Sequence, residues 1–224
     1  MIKQMKENLY KVINVKSNKG HKGENLIMKK VEDYVRSIPD FPEEGIIFRD
    51  VTSVLQDADG LQLAIDEMAK CGIALDVSHL NEASFWDVIK HFNGKLCATH
   101  SNARTLCSHD RNLTDMQIKA LAEKGGIIGM NACRFFVSNN EEEQNVLTLA
   151  KHARYIADLV GVEHVACGFD FMDFFGENGL SEMAKDIESD DKAQNFVEAL
   201  RQVGFNEEEV EKICYKNALD FFTK

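Results

Sequence analysis

From Cys71 to the C-terminus, short apolar runs alternate with stretches whose apolar residues recur at helical spacing. Ile73–Val77, Lys95–Thr99, Gly126–Asn131 and His164–Gly168 are short and nearly continuous in apolar character, which predicts buried parallel strands. Thr114-Asp-Met-Gln117 has the spacing of a capping box and predicts a helix carrying Ile118 and Leu121. Apolar residues at 146, 149, 150, 153, 156, 157 and 160 predict a longer helix closed by Gly161, and Asn206-Glu-Glu-Glu209 predicts the cap of a last helix running to about Ala218. Four strands, each followed by a helix, predict an α/β fold of about four βα units with right-handed connections and a parallel sheet.

The N-terminal part follows another pattern. Val31, Tyr34, Val35 and Ile38 lie at helical spacing and predict a short helix over 28–38. Pro39 and Pro42, the two prolines of the chain, break it, and Phe41–Asp50 continues as an extended loop or strand, with a second helix after Asp59-Gly60. Residues 1–27 carry six lysines against two glutamates and little apolar content, which predicts a flexible lysine-rich extension.

At 224 residues the chain is long enough for one sizeable core or two small ones. Its charge of −11, with no basic cluster beyond the first residues, argues against nucleic acid as a partner. No apolar run reaches the length of a membrane span, and Met1–Lys6 lacks the apolar core of a signal peptide, so the expected location is cytoplasmic, with no membrane partner. The six cysteines, at 71, 97, 107, 133, 167 and 214, have no C-x-x-C pairing and read as reduced, partly buried thiols.

Polar residues at the ends of the predicted strands are the candidates for chemistry. His79, His100 and Asp170 each fall at the C-terminal end of a strand, and Arg111 lies in the loop after the second. In (β/α) barrels active sites gather at that rim, and neighbouring strand ends lie about 5 Å apart, so two histidines on successive strands can share a ligand. Each residue also has a structural reading: the histidines as hydrogen-bonded groups, Asp170 as a loop cap, Arg111 as a solvated charge beside Asp110. His91, His109, His152 and His164 read as structural or exposed. Phe85, Trp86 and the Phe169–Phe175 run read as core, the last also as a pocket wall.

Two resemblances refine this picture. Met28–Met68, and above all Ser37-Ile-Pro-Asp-Phe-Pro-Glu-Glu-Gly-Ile-Ile-Phe-Arg-Asp-Val-Thr52, resembles the N-terminal segment of bacterial adenine phosphoribosyltransferases, in which this segment helps to form the hood over the base. The resemblance puts Ile47 and Arg49 near adenine. A phosphate cradle of that family, an acidic pair followed by a small-residue loop, occurs nowhere in the chain.

Residues from about 67 to 224 resemble the C-terminal half of the membrane (renal-type) dipeptidases, zinc hydrolases on a (β/α)8 barrel. Asp76-Val-Ser-His-Leu-Asn, Ala98-Thr-His-Ser-Asn-Ala, His109-Asp-Arg-Asn-Leu-Thr-Asp and Gly168-Phe-Asp-Phe carry the likeness in order and spacing. The resemblance implies a partial (β/α)8, TIM-type barrel over 69–224 behind a transferase-like segment over 28–68. It implies His79 and His100 as ligands of one of two zinc ions, and Arg111 as the anchor of the substrate dipeptide's carboxylate. Asp170 would be the acid/base that relays the proton of a metal-activated water.

The family's His-x-Asp pair is missing from this chain, as are its bridging glutamate and a further substrate-binding histidine, which the first half-barrel carries. Three functional readings follow: a zinc-dependent dipeptidase-type hydrolase impaired by the absent ligands, an adenine phosphoribosyltransferase-like fragment of purine salvage, and a non-enzymatic fusion remnant. The junction is expected near Asp66–Met68. An open half-barrel has two bare sheet edges and an apolar inner face, so it is expected to self-associate, to be capped by the N-terminal segment or to aggregate.

Overall fold

A computed structural model of the chain describes residues 29–224, so the predicted extension over 1–27 lies outside the described residues. The chain divides into two compact units, Met1–Ile73 and Ala74–Lys224.

In the first unit a 3-10 turn, Val31–Tyr34, leads into β1 (Arg36–Pro39), which pairs antiparallel with β2 (Ile47–Asp50). The helix expected over 28–38 is therefore only a turn long. Pro39 offers no N–H to a helix and drives the residue before it into the extended region, where β-branched Ile38 is at home opposite Phe48. Arg36 also pairs with Asp50 across the two strands, a contact a helix would not allow. Two helices follow, α1 (Thr52–Gln56) and α2 (Ala58–Lys70). The second starts two residues before the Gly60 expected to precede it, because the Asp57 carboxylate accepts the N–H groups of Asp59 and Gly60. Gly60 lies under the Tyr34 ring, 2.9 Å from where a Cβ would stand, so this position has no room for a side chain.

The second unit is α/β. Its sheet has four parallel strands in chain order: β3 (Leu75–Asp76), β4 (Leu96–Ala98), β5 (Ile127–Met130) and β6 (Val165–Cys167). The strands fall within the four apolar runs and are shorter than them, since each chain leaves the ladder at its C-terminal end to form the turns that carry the site. Helices α3 (Glu82–His91) and α4 (Asp115–Glu123) follow β3 and β4; α5 (Arg134–Val137) and α6 (Val146–Val160) follow β5. Thr114 and Gln117 form the capping box of α4, and Gly161 ends α6 at a φ of 108° that a side chain would strain. After β6 come α7 (Glu177–Ser181), α8 (Gln194–Gln202) and α9 (Glu207–Glu211), then a π-helical segment, Lys212–Lys216, and α10 (Asn217–Thr223). The last helix thus runs past Ala218.

The core lies between one face of the sheet and these helices. Leu96, Ile128, Met130 and Val165 of the sheet, Ile118 and Leu121 of α4, and Leu149 and Ile156 of α6 are all fully buried, with α4 packed on β5 and α6 on β5 and β6. On the opposite face Cys97, Ile127 and Ala166 pack with Ala74, Ala218 and Phe221. Phe85 is buried with its ring edge-on to Trp86. The Phe169–Phe175 run is only partly core: Phe169 packs on Phe196, whereas Phe174 and Phe175 stack on each other at the surface, 74% and 63% exposed. Among the described residues no helix is long and apolar enough to cross a membrane.

Candidate metal and substrate site

The site is assembled on one partly buried carboxylate. Asp76 ends β3, and its Oδ1 accepts the N–H of Ser78 at 3.0 Å, the Ser78 hydroxyl at 2.6 Å and the N–H of Thr99 at 3.0 Å. Its Oδ2 accepts the Thr99 hydroxyl at 2.6 Å. Burial pushes the carboxyl pKa up, but the hydrogen bonds from Ser78 and Thr99 outweigh it and hold Asp76 below its ordinary value, ionised. One side chain thus pins the turn after β3, which carries His79, to the turn after β4, which carries His100.

The same network fixes the protonation of His100. The Thr99 hydroxyl donates to Asp76, so its contact with His100 Nδ1, at 2.7 Å, needs the ring nitrogen as donor. The proton on Nδ1 leaves the Nε2 lone pair free, and that atom faces Nε2 of His79 at 2.9 Å. The backbone N–H of His100 donates to the Ser78 hydroxyl at 3.1 Å. Desolvation keeps the His100 pKa below its ordinary value although Asp170 and Asp76 pull it upward, so the ring is neutral at pH 7, the form that binds metal.

Gly129 and Gly168 support this turn from beneath. A Cβ at either would stand well inside contact distance of the Thr99 carbonyl oxygen, so glycine is required for β5 and β6 to approach the Thr99-His100 backbone.

Arg111 donates to the carbonyl of Ser78, and its second guanidinium nitrogen lies 3.4 Å from His79 Nε2. Its guanidinium also lies over the Phe136 ring, 5.6 Å from the centroid. The Phe136 carbonyl accepts the amides of buried Asn102 and Asn112, at 3.1 and 2.9 Å, which fixes this wall. Asp170 sits in the turn after β6 with φ +59°, a conformation rare for a residue with a side chain. Its Oδ2 accepts from Asn131 Nδ2 at 3.3 Å and lies 3.9 Å from His100 Nε2. The four candidates His79, His100, Arg111 and Asp170 thus meet at one rim of the sheet.

The metal implied by the resemblance is fitted only in part. Two imidazole nitrogens on one centre suit one edge of a zinc ion, which in catalytic sites takes three protein ligands. Among the described residues no group of three or more histidines, cysteines and carboxylates is arranged to hold a metal. The set present offers two nitrogens to one ion and no ligand set for a second.

Ile47 and Arg49 lie in the first unit, two residues apart on β2 and so on one face of the hairpin, both exposed. Arg49 donates to the Ser37 hydroxyl on β1.

Sequence reasoning left Asp76, Ser78, Thr99 and Asn131 without a role. Asp76-Val-Ser78 does carry a signal, because an Asp two residues before a Ser can close an Asx turn, and the structure holds that turn. Asn131 and Asn102 carried none, since their amides act over long sequence separations. Among the histidines read as structural, His152 is fully buried, accepts the Ala103 N–H at Nδ1 and donates from Nε2 to Val137.

Comparison with known proteins shows the family of the second unit. An uncharacterized protein in the pqqA 5' region of Klebsiella pneumoniae is 32% identical over 165 residues, covering 72% of this chain and 58% of its own. A metallo peptidase from Rhodobacter sphaeroides, solved with a phosphinate mimic of the dipeptide L-Ala-D-Ala, superposes with a TM-score of 0.64 at 28% identity, over 73% of this chain and 46% of that one. The chain therefore spans about half the length of these relatives. The adenine phosphoribosyltransferase of Butyrivibrio fibrisolvens is 71% identical over 52 residues, 22% of this chain and 29% of its own. The family model of the membrane dipeptidases matches residues 60–224, and through these residues the chain belongs to the membrane dipeptidase family, Peptidase family M19.

Proposed function

We propose that this chain carries the second half of a zinc dipeptidase-type site and that, alone, it binds a single zinc ion weakly and does not turn over dipeptides. The observation that carries the reading is the convergence of His79 Nε2 and His100 Nε2, 2.9 Å apart, beside the Arg111 guanidinium. When bound, zinc would supply Lewis acidity at that point. His79 and His100 hold the ion, and Asp76, through Thr99, keeps the His100 Nε2 lone pair turned toward it. Arg111 takes the dipeptide carboxylate with a planar, permanently charged fork. Asp170, held by Asn131, is the group placed to exchange a proton near the ion.

In this reading the four-stranded sheet is one half of a (β/α)8 barrel, and residues 28–68 derive from an adenine phosphoribosyltransferase. Such a fusion occupies one uninterrupted reading frame; long reads that resolve the locus into two separate, complete genes would refute it. Zinc titration of the purified chain tests the site itself. One weakly bound ion per chain, lost in His79→Ala and in His100→Ala, is expected, and zinc binding untouched by both substitutions would overturn the assignment.

A further inference from the structure

The face of the sheet turned toward α10 is covered but not filled. Cys97, Ile127 and Ala166 pack with Ala218 and Phe221 of the helix, and beside these contacts a cavity of about 230 Å³ remains. Its sheet wall runs from Ile127 and Ala166 to Gly129 and Gly168, up the strands toward the turn that carries His100. Ala218 and Phe222 form the helix wall.

The space follows from the residues around it. Gly129, Ala166, Gly168 and Ala218 have too little side chain to reach across. Two of them cannot be enlarged, because a Cβ at Gly129 or Gly168 would stand well inside contact distance of the Thr99 carbonyl oxygen. The glycines that let β5 and β6 approach the His100 turn therefore also leave room below it. In a closed (β/α)8 barrel, layers of side chains from all the strands fill the interior. Here one helix lies over the inner face instead.

The lining also selects the occupant. It contains no charged residue and one side-chain hydroxyl, that of Thr99. This hydroxyl is already engaged, donating to Asp76 at 2.6 Å and accepting from His100 Nδ1 at 2.7 Å. The Cys97 thiol, pushed up to about 11 by burial, adds no charge. A resident water needs several polar partners, which these side chains do not offer, whereas an apolar cavity of about 150 Å³ stays dry and takes up benzene. The larger volume here has room for one ring with a small substituent. Phe222 offers an aromatic ring to pack against and is 57% exposed, so it is the wall past which a small molecule can enter.

We propose that this cavity binds one small, uncharged aromatic molecule of about the size of toluene. The site uses neither the Arg111 guanidinium nor a metal, so it stands or falls apart from the dipeptidase reading.

The metal-free full chain, labelled with ¹⁵N, is titrated with toluene and with benzoate and followed by NMR. Toluene should move the amide signals of Gly129, Ala166, Gly168 and Ala218 together and to saturation, with one molecule bound per chain. Benzoate, the same ring with a charge, should bind at least about tenfold more weakly, because this lining leaves a buried carboxylate unpaired. Ala218→Leu fills the cavity from a partly exposed helix position that tolerates leucine, and should abolish the toluene shifts with circular dichroism unchanged. Shifts scattered over the unaltered chain that never saturate would overturn the proposal, whether or not the variant folds. So would benzoate binding as tightly as toluene, or toluene binding undiminished in a folded Ala218→Leu chain.

Discussion

Asp76 touches no substrate in this account, yet the geometry of both histidines passes through it. Asn at this position keeps the size but brings an amide N–H₂ against donors at Thr99 or Ser78, and the lock on His100 Nδ1 is lost. Partners of this kind, one step removed from the metal, typically contribute about 10- to 100-fold in metal affinity. Zinc affinity in Asp76→Asn should fall by that amount, with the fold unchanged by circular dichroism; undiminished affinity would show that His100 is oriented by something else. His152 makes a residue-scale prediction of another kind. Burial lowers its pKa from 6.5 to about 4. The folded chain therefore binds fewer protons than the unfolded chain between those values, and stability falls as pH drops from 6.5 toward 4. The loss is about 3 kcal/mol at full protonation of the unfolded state. Denaturant unfolding at pH 7 and pH 4.5 should show this slope, and His152→Gln, with no titrating ring, should flatten it.

At the scale of elements, the close approach of β4, β5 and β6 at their C-terminal ends decides where His100 points. Gly168→Ala puts a methyl group into the Thr99 carbonyl, a backbone atom that cannot swing away. Overpacking of this kind costs about 1–3 kcal/mol. The variant should lose stability on that order and zinc affinity with it, measured by unfolding and titration on the same preparation. Unchanged affinity in a stable variant would detach the turn from the site.

Much at this scale was legible in the chain. The four apolar runs hold the four strands, and Thr114, Gly161 and Asn206 act as the caps and stops their chemistry predicts. Val31, Tyr34, Val35 and Ile38 fit a helical stripe, but Pro39 and the pairing of Ile38 with Phe48, a partner distant in sequence, favour a strand. For the candidate site, His79, His100 and Asp170 are legible as strand-end polar residues and Arg111 as a charge in the loop after the second strand. The Asn131–Asp170 and Thr99–Asp76 contacts are not, because each joins different strands.

At the scale of the whole molecule, what matters is what the second unit lacks. Among the described residues β3 and β6 each pair on one side only. Unpaired edges of this kind favour association with another chain, so sedimentation velocity is expected to show a concentration-dependent mass above the monomer; a strictly monomeric chain at all concentrations would mean that these edges are protected. The central claim, that this chain holds half of a dipeptidase site, is tested most directly by zinc content measured together with dipeptide hydrolysis on the same purified sample. No more than one zinc ion per chain and no turnover are expected. Two zinc ions per chain, with turnover abolished by His100→Ala, would contradict it.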